Sequence, residues 1–146
     1  MSSLIQNKKA YFNYEILEKT EAGIELLGFE VKSLKKGQGS LEGAHITIRG
    51  KEAYIVNMQI SPYQPANTPT DYEPMRNRRL LLTKKEIETL GKSESQKGLT
   101  IIPISVYNKG KRVKVEIAVV RGKKKYDKRE SIKKRDVERE IRREIK

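Results

Sequence analysis

The chain contains no cysteine and no tryptophan, and His45 is its single histidine. Without thiols there is no disulfide framework and no thiolate ligand or nucleophile. Without a second imidazole, histidine-based metal centres and Ser-His or Cys-His arrangements fail. His45 therefore reads as a residue on the polar face of a strand. No G-x-x-x-x-G-K-[ST] phosphate loop and no G-x-G-x-x-G occurs, and Gly37-Gln-Gly39 reads only as a turn. Polar residues follow Met1, and no apolar run is long enough for a signal peptide or a membrane span. The expectation is a cytoplasmic protein with no membrane partner, no metal, no cofactor and no catalytic residue.

Positive charge is what the chain has in excess. Its 146 residues hold 32 Lys and Arg against 19 Asp and Glu, a net +13. The last 26 residues, Arg121 to Lys146, carry 13 basic and six acidic side chains, over half of that net charge. Their four aliphatic residues, Ile132, Val137, Ile141 and Ile145, are too few for a core. The expected organisation is one domain over residues 1–121 and a basic tail over 122–146. The aliphatic stripe of the tail is too thin to hold a helix in isolation, so the tail is expected to be disordered until it meets a surface to fold on. It has no Trp, Phe or Leu to anchor it in a membrane. A charge of this sign and size points first to nucleic acid, because each neutralised phosphate releases a counterion.

Along the chain, Phe12, Tyr14 and Ile16 alternate as a half-buried strand does, and Thr20 to Gly23 reads as a turn into a second strand over 24–27. Val31 and Leu34, three apart and followed by Gly37, predict a short helix over 28–34. Ala44 to Arg49 and Glu52 to Ile60 read as a hairpin about Gly50-Lys51, with Tyr54, Val56 and Met58 on one side. Four of the five prolines fall in a long irregular loop from Ser61 to Arg79. A brief buried segment at 80–82 leads to Thr83-Lys-Lys-Glu86, a capping box that opens a helix through Ile87 and Leu90. Leu99 to Tyr107 and Arg112 to Val120 form the clearest strand pair. About six short strands with two or three short helices predict a mainly β (α+β) fold, a small antiparallel barrel, closed or partly open, of the oligonucleotide-binding kind.

Glu30 and Lys32 offer the best case for an enzyme, since an acid and a lysine two apart on a strand can hold a divalent ion and a water. A helix over 28–34 would aim the two side chains apart. Nucleic-acid features are stronger. Lys8, Lys9 and Tyr11, and again Lys123, Lys124 and Tyr126, interleave basic and aromatic residues, as needed to hold a backbone while stacking unpaired bases. Arg76, Arg78 and Arg79 could grip phosphates bidentately.

Five motifs stand in order: Asn7-Lys-Lys-Ala10, Glu21-Ala-Gly-Ile24, Gly28-Phe-Glu-Val-Lys-Ser-Leu34, Arg78-Arg-Leu-Leu-Leu82 and Gly122-Lys-Lys-Lys-Tyr-Asp-Lys-Arg129. Together they closely resemble the small protein B family, the SsrA-binding proteins of bacteria. The resemblance implies a non-enzymatic RNA-binding adaptor. It would bind the tRNA-like domain of transfer-messenger RNA (tmRNA, or SsrA RNA) and deliver it to stalled ribosomes for trans-translation. The tail would probe ribosomal RNA near the decoding centre and turn helical along the empty mRNA path. By the same resemblance, Asn7, Lys8 and Glu30, with Lys32 and Ser33 beside them, would face the RNA. Gly122, Lys123, Lys124, Tyr126, Asp127, Lys128 and Arg129 would face the ribosome. The expected protein is a monomer.

Glu30 has two readings: a carboxylate accepting from base amino or ribose hydroxyl groups, or a salt bridge fixing the short helix. The chain also departs from the family pattern, with Val56, Gln59, Tyr72 and Thr83 where members often carry histidine. The alternative function is a generic basic ribosome-associated protein or RNA chaperone.

Overall fold

The computed structural model describes residues 3–64, 66 and 68–122. In chain order the elements are β1 (Ser3–Gln6), α1 (Ala10–Asn13), β2 (Tyr14–Ile24), α2 (Gly28–Lys35), β3 (Gly39–Ser40), β4 (His45–Arg49), β5 (Glu52–Val56), β6 (Gln59–Ile60), β7 (Arg78–Leu81), α3 (Lys84–Glu94), β8 (Leu99–Lys109) and β9 (Arg112–Gly122). Seven strands form one sheet in the order β1-β8-β9-β2-β7-β5-β4, and β3 pairs with β6 apart from it. Every pairing is antiparallel. β4, at one edge, lies against β8, next to the other edge, and α3 packs over both. The sheet thereby curls into a small, partly open barrel, the mainly β class expected from the pattern. Among the described residues, no helix is long and apolar enough to cross a membrane.

The long β8–β9 hairpin explains itself from the sequence. Val115, Ile117 and Val119 point into the main core with Ile101 and Val106. Ala118 and Val120 point the other way, with Ile102 and Ile104, into a second small core closed by Ala10 of α1. Both faces of the hairpin are thus covered over this stretch, which accounts for the near-continuous apolar runs at 101–104 and 117–120. α3 starts as its capping box requires: Thr83 Oγ1 accepts from the Glu86 N–H at 3.2 Å, and Glu86 Oε1 accepts from the Thr83 N–H at 2.9 Å.

Three expectations are corrected. Residues 20–23 are not a turn: β2 continues through them, with Thr20 opposite Ile117 and Gly23 opposite both Lys114 and Leu81. A Cβ on Gly23 would sit 3.1 Å from that of Leu81, so glycine serves close strand approach here rather than a reversal. The run from Glu52 to Ile60 is not one strand. Asn57, at φ 64°, breaks it, and Asn is among the few residues that tolerate that region. Ala53 and Ile55 point inward ahead of the break, and Met58 and Ile60 after it. Residues 10–13 form the helix α1 instead of opening a strand, because Ala10 is needed to cover the second core. Altogether nine strands are present among the described residues where about six were expected; β1 and the two-residue β3 and β6 are too short to leave a periodic signal.

Candidate nucleic-acid interface

The short helix α2 and the loop that precedes β7 are joined by a buried charge cluster. Glu30 and Arg78 are both without solvent exposure. Glu30 Oε2 accepts from Arg78 Nη2 at 2.6 Å and Nε at 2.8 Å. Arg76 donates to both Glu30 oxygens from its Nε and Nη2 while keeping 31% of its side chain exposed. The Leu27 N–H donates to Glu30 Oε1 at 2.8 Å, so the same carboxylate closes the N-terminus of α2.

Arg78 uses all five of its N–H groups. Besides Glu30, they reach the carbonyls of Met58 (2.6 Å), Arg76 (3.1 Å) and Pro74 (3.0 Å). The Tyr72 hydroxyl lies 2.8 Å from Glu30 Oε2 and 2.9 Å from the Ile60 carbonyl, and it accepts from Arg78 Nη2 at 3.1 Å. Burial alone would raise the Glu30 pKa. The hydrogen bonds from Arg76, Leu27 and Arg78 outweigh it and hold the carboxyl at about 2. Burial and the facing carboxylate push the Tyr72 phenol up to about 12.

The basic stretch at residues 7–11 runs from the end of β1 into α1. β8 bulges between Pro103 and Ser105. Two carbonyls at this point hold Asn7: its N–H donates to Ile104 at 2.8 Å and its Nδ2 to Pro103 at 3.0 Å. Pro103 has no N–H to pair in the ladder, which makes the bulge cheap at this point. Asn7, Lys8 and Lys9 then border a cleft of about 670 Å³ whose far side includes Ser40, Glu42 and His45. Lys9 reaches across to Glu42 at 3.2 Å, and Tyr11 accepts a hydrogen bond from Lys19 at 2.9 Å.

The nine residues expected to face RNA divide into two groups. Asn7, Lys8, Lys9, Tyr11, Lys32 and Arg79 are at least partly open to solvent, Arg79 lying between Glu25 (3.5 Å) and Glu52 (3.8 Å). Glu30, Ser33 and Arg78 are fully buried. The expectation that these three touch RNA is therefore corrected, and for Glu30 the salt-bridge reading holds. Its oxygens are occupied by arginines, so the metal-holding pair with Lys32 fails too. Gly122 is exposed at the end of β9, opposite Tyr14. Lys123, Lys124, Tyr126, Asp127, Lys128 and Arg129 lie outside the described residues.

Sequence reasoning missed Tyr72 and misplaced Arg78. A signal for Arg78 was present: in β7 it shares its phase with buried Leu80, while Arg79 shares the opposite phase with exposed Leu81. Tyr72, one of the positions where histidine was expected, left no such trace.

The family model described as "SmpB protein" matches residues 4–146. An SsrA-binding protein from Oleidesulfovibrio alaskensis is 55% identical over 142 residues, covering 97% of this chain and 91% of that one. Another, from Elusimicrobium minutum, is 52% identical over 140 residues, covering 96% and 88%. Among solved structures, a chain described as "tmRNA-SmpB: a journey to the center of the bacterial ribosome" superposes with a TM-score of 0.70 at 38% identity, covering 88% of this chain and 93% of that one.

Proposed function

The chain belongs to the SmpB family, and we propose on that premise that it binds transfer-messenger RNA and carries it to stalled ribosomes for trans-translation. The barrel, residues 1–121, takes the tRNA-like part of the RNA. Residues 122–146 serve the ribosome, with Gly122, Lys123, Lys124, Tyr126, Asp127, Lys128 and Arg129 at the decoding region. Its place of action is then the cytoplasm. It acts as an adaptor and not as a catalyst.

The observation that carries this reading is the anchoring of 7–11 at the β8 bulge, which presents Lys8, Lys9 and Tyr11 from a fixed base beside the cleft. A flexible basic arm binds any polyanion. A seated one can match the contour of one folded RNA. Glu30 contributes from inside: it positions Arg76, whose guanidinium stays partly open, and it ties the loop to α2.

Truncation after Arg121 tests the division of labour. The shortened protein should retain most of its affinity for the tRNA-like RNA and lose tagging of stalled peptides. Affinity that falls in step with the lost charge, on every RNA tried, would favour the generic basic protein instead.

A further inference from the structure

A groove runs between α2 and the loop that follows β6. It measures about 450 Å³ and is lined by Gly28, Phe29, Lys32, Tyr63, Gln64 and Thr68. That volume falls within the span of about 300–1,000 Å³ typical of sites for small organic groups. Lys32 Nζ stands 5.9 Å from the centre of the Tyr63 ring. This is the outer limit of a cation–π contact, about 6 Å, so the two hold each other weakly.

The exposed charge on the α2 side of the groove is positive. The exposed lysines at this end of the molecule are Lys32 and Lys35 of α2 and Lys36, which follows it. None of the three has an ion pair or a side-chain hydrogen bond to another described residue. The only carboxylate of α2 is Glu30, which is buried on its arginines. Elsewhere on the barrel, Lys9, Lys19 and Lys109 each face a glutamate within 3.6 Å.

The α2 wall of the groove is also braced. The Phe29 ring meets Tyr72 edge to face, 4.7 Å between centres at 85°, and Tyr72 is in turn bonded within the Glu30 cluster. A slot with one braced wall, an aromatic side chain and a lysine free of ion pairs suits a flat, π-rich group attached to an anion. An unpaired nucleotide is such a group, whereas the stacked bases of a duplex could not enter.

We propose that this groove takes one unpaired nucleotide of the bound RNA, its base stacked on Tyr63 and its phosphate at Lys32. This rests on the RNA-binding reading above and names a subsite within it. Lys35 and Lys36 extend the track for the neighbouring phosphates.

The test uses the full chain and the tRNA-like part of tmRNA. Tyr63→Leu should weaken binding roughly tenfold or more with an unchanged salt slope, while Tyr63→Phe keeps the ring and the affinity. Lys32→Met should weaken binding and lower the salt slope by about one. Ultraviolet crosslinking should join Tyr63 to an unpaired nucleotide. Equal affinity for wild type and Tyr63→Leu, or no better binding by Tyr63→Phe than by Tyr63→Leu, would overturn the subsite while the parent reading stands. Wild-type binding to this RNA no tighter than to an unrelated duplex would overturn both.

Discussion

Glu30 and Arg78, 48 residues apart in the chain, form a buried ion pair in which Nε and Nη2 of the arginine both meet Oε2 of the glutamate, at 2.8 and 2.6 Å. Neither side chain has any solvent exposure. Around this pair Tyr72, Pro74 and Arg76 of the loop before β7, the α2 N-terminus and the start of β7 are drawn to one point. Removing either partner strands the other charge in the interior. Glu30→Gln and Arg78→Met should each lower unfolding free energy by about 3–5 kcal/mol, measured by chemical denaturation. A loss near zero for either would mean that the cluster is not a structural centre.

The same carboxyl governs an acid limb of stability. Its pKa of about 2 in the folded chain lies below the ordinary 4.5. A depressed carboxylate pKa stabilises the fold above the unfolded value, and that contribution is lost as pH falls from 4.5 through about 2. The amount at stake is about 3 kcal/mol. Unfolding free energy followed across this interval should drop steeply in wild type and more gently in Glu30→Gln. Parallel curves for the two proteins would reject the assignment.

Gly39 lies against the core, not merely in a turn. A Cβ placed there would come within 2.9 Å of Leu34 Cδ2 and 3.1 Å of the Gln59 carbonyl. Leu34 is fully buried and has little room to give. Gly39→Ala should destabilise the protein by about 1–3 kcal/mol, lowering the thermal midpoint. Gly28→Ala is the control, since nothing lies within 4 Å of a Cβ there.

Thr83→Ala removes the oxygen that accepts the Glu86 N–H. The expected loss is about 1 kcal/mol, seen in denaturant midpoints, and Thr83→Ser should restore most of it. Full stability in Thr83→Ala would show that α3 is held by its packing alone.

Asn7→Ala deletes the side-chain bond to the Pro103 carbonyl while leaving the backbone bond to Ile104. The cost to stability should be modest, about 0.5–1.5 kcal/mol. The loss of affinity for the tRNA-like RNA should be larger than that stability change explains, because the base that presents Lys8 and Lys9 is loosened. Binding that stays at the wild-type level would place RNA recognition elsewhere on the barrel.

Local order was readable wherever neighbours in sequence supply the partners. The capping box of α3 needs only Thr83 and Glu86, and the β8–β9 hairpin needs only its own alternation and the Lys109–Arg112 turn. α2 was equally legible from Val31, Leu34 and Gly37. The turn expected at 20–23 failed because distant strands paired with those residues on both sides, and pairing across a sheet outweighs a local turn preference.

The amino-acid sequence by itself determined the class of the fold, its strongest hairpin, both longer helices, the preponderance of positive charge and, through five ordered motifs, the family. That Glu30 and Arg78 are buried against each other was decided only by the tertiary structure. Glu30, Arg76, Arg78 and Arg79 look alike as exposed polar side chains when read singly. Folding brings Glu30 to Arg78 across 48 residues and shields the pair, because a buried ion is tolerable only where an opposite charge and hydrogen bonds meet it. Arg79, one step along the same strand, is turned by the pleat to the opposite face and stays in water.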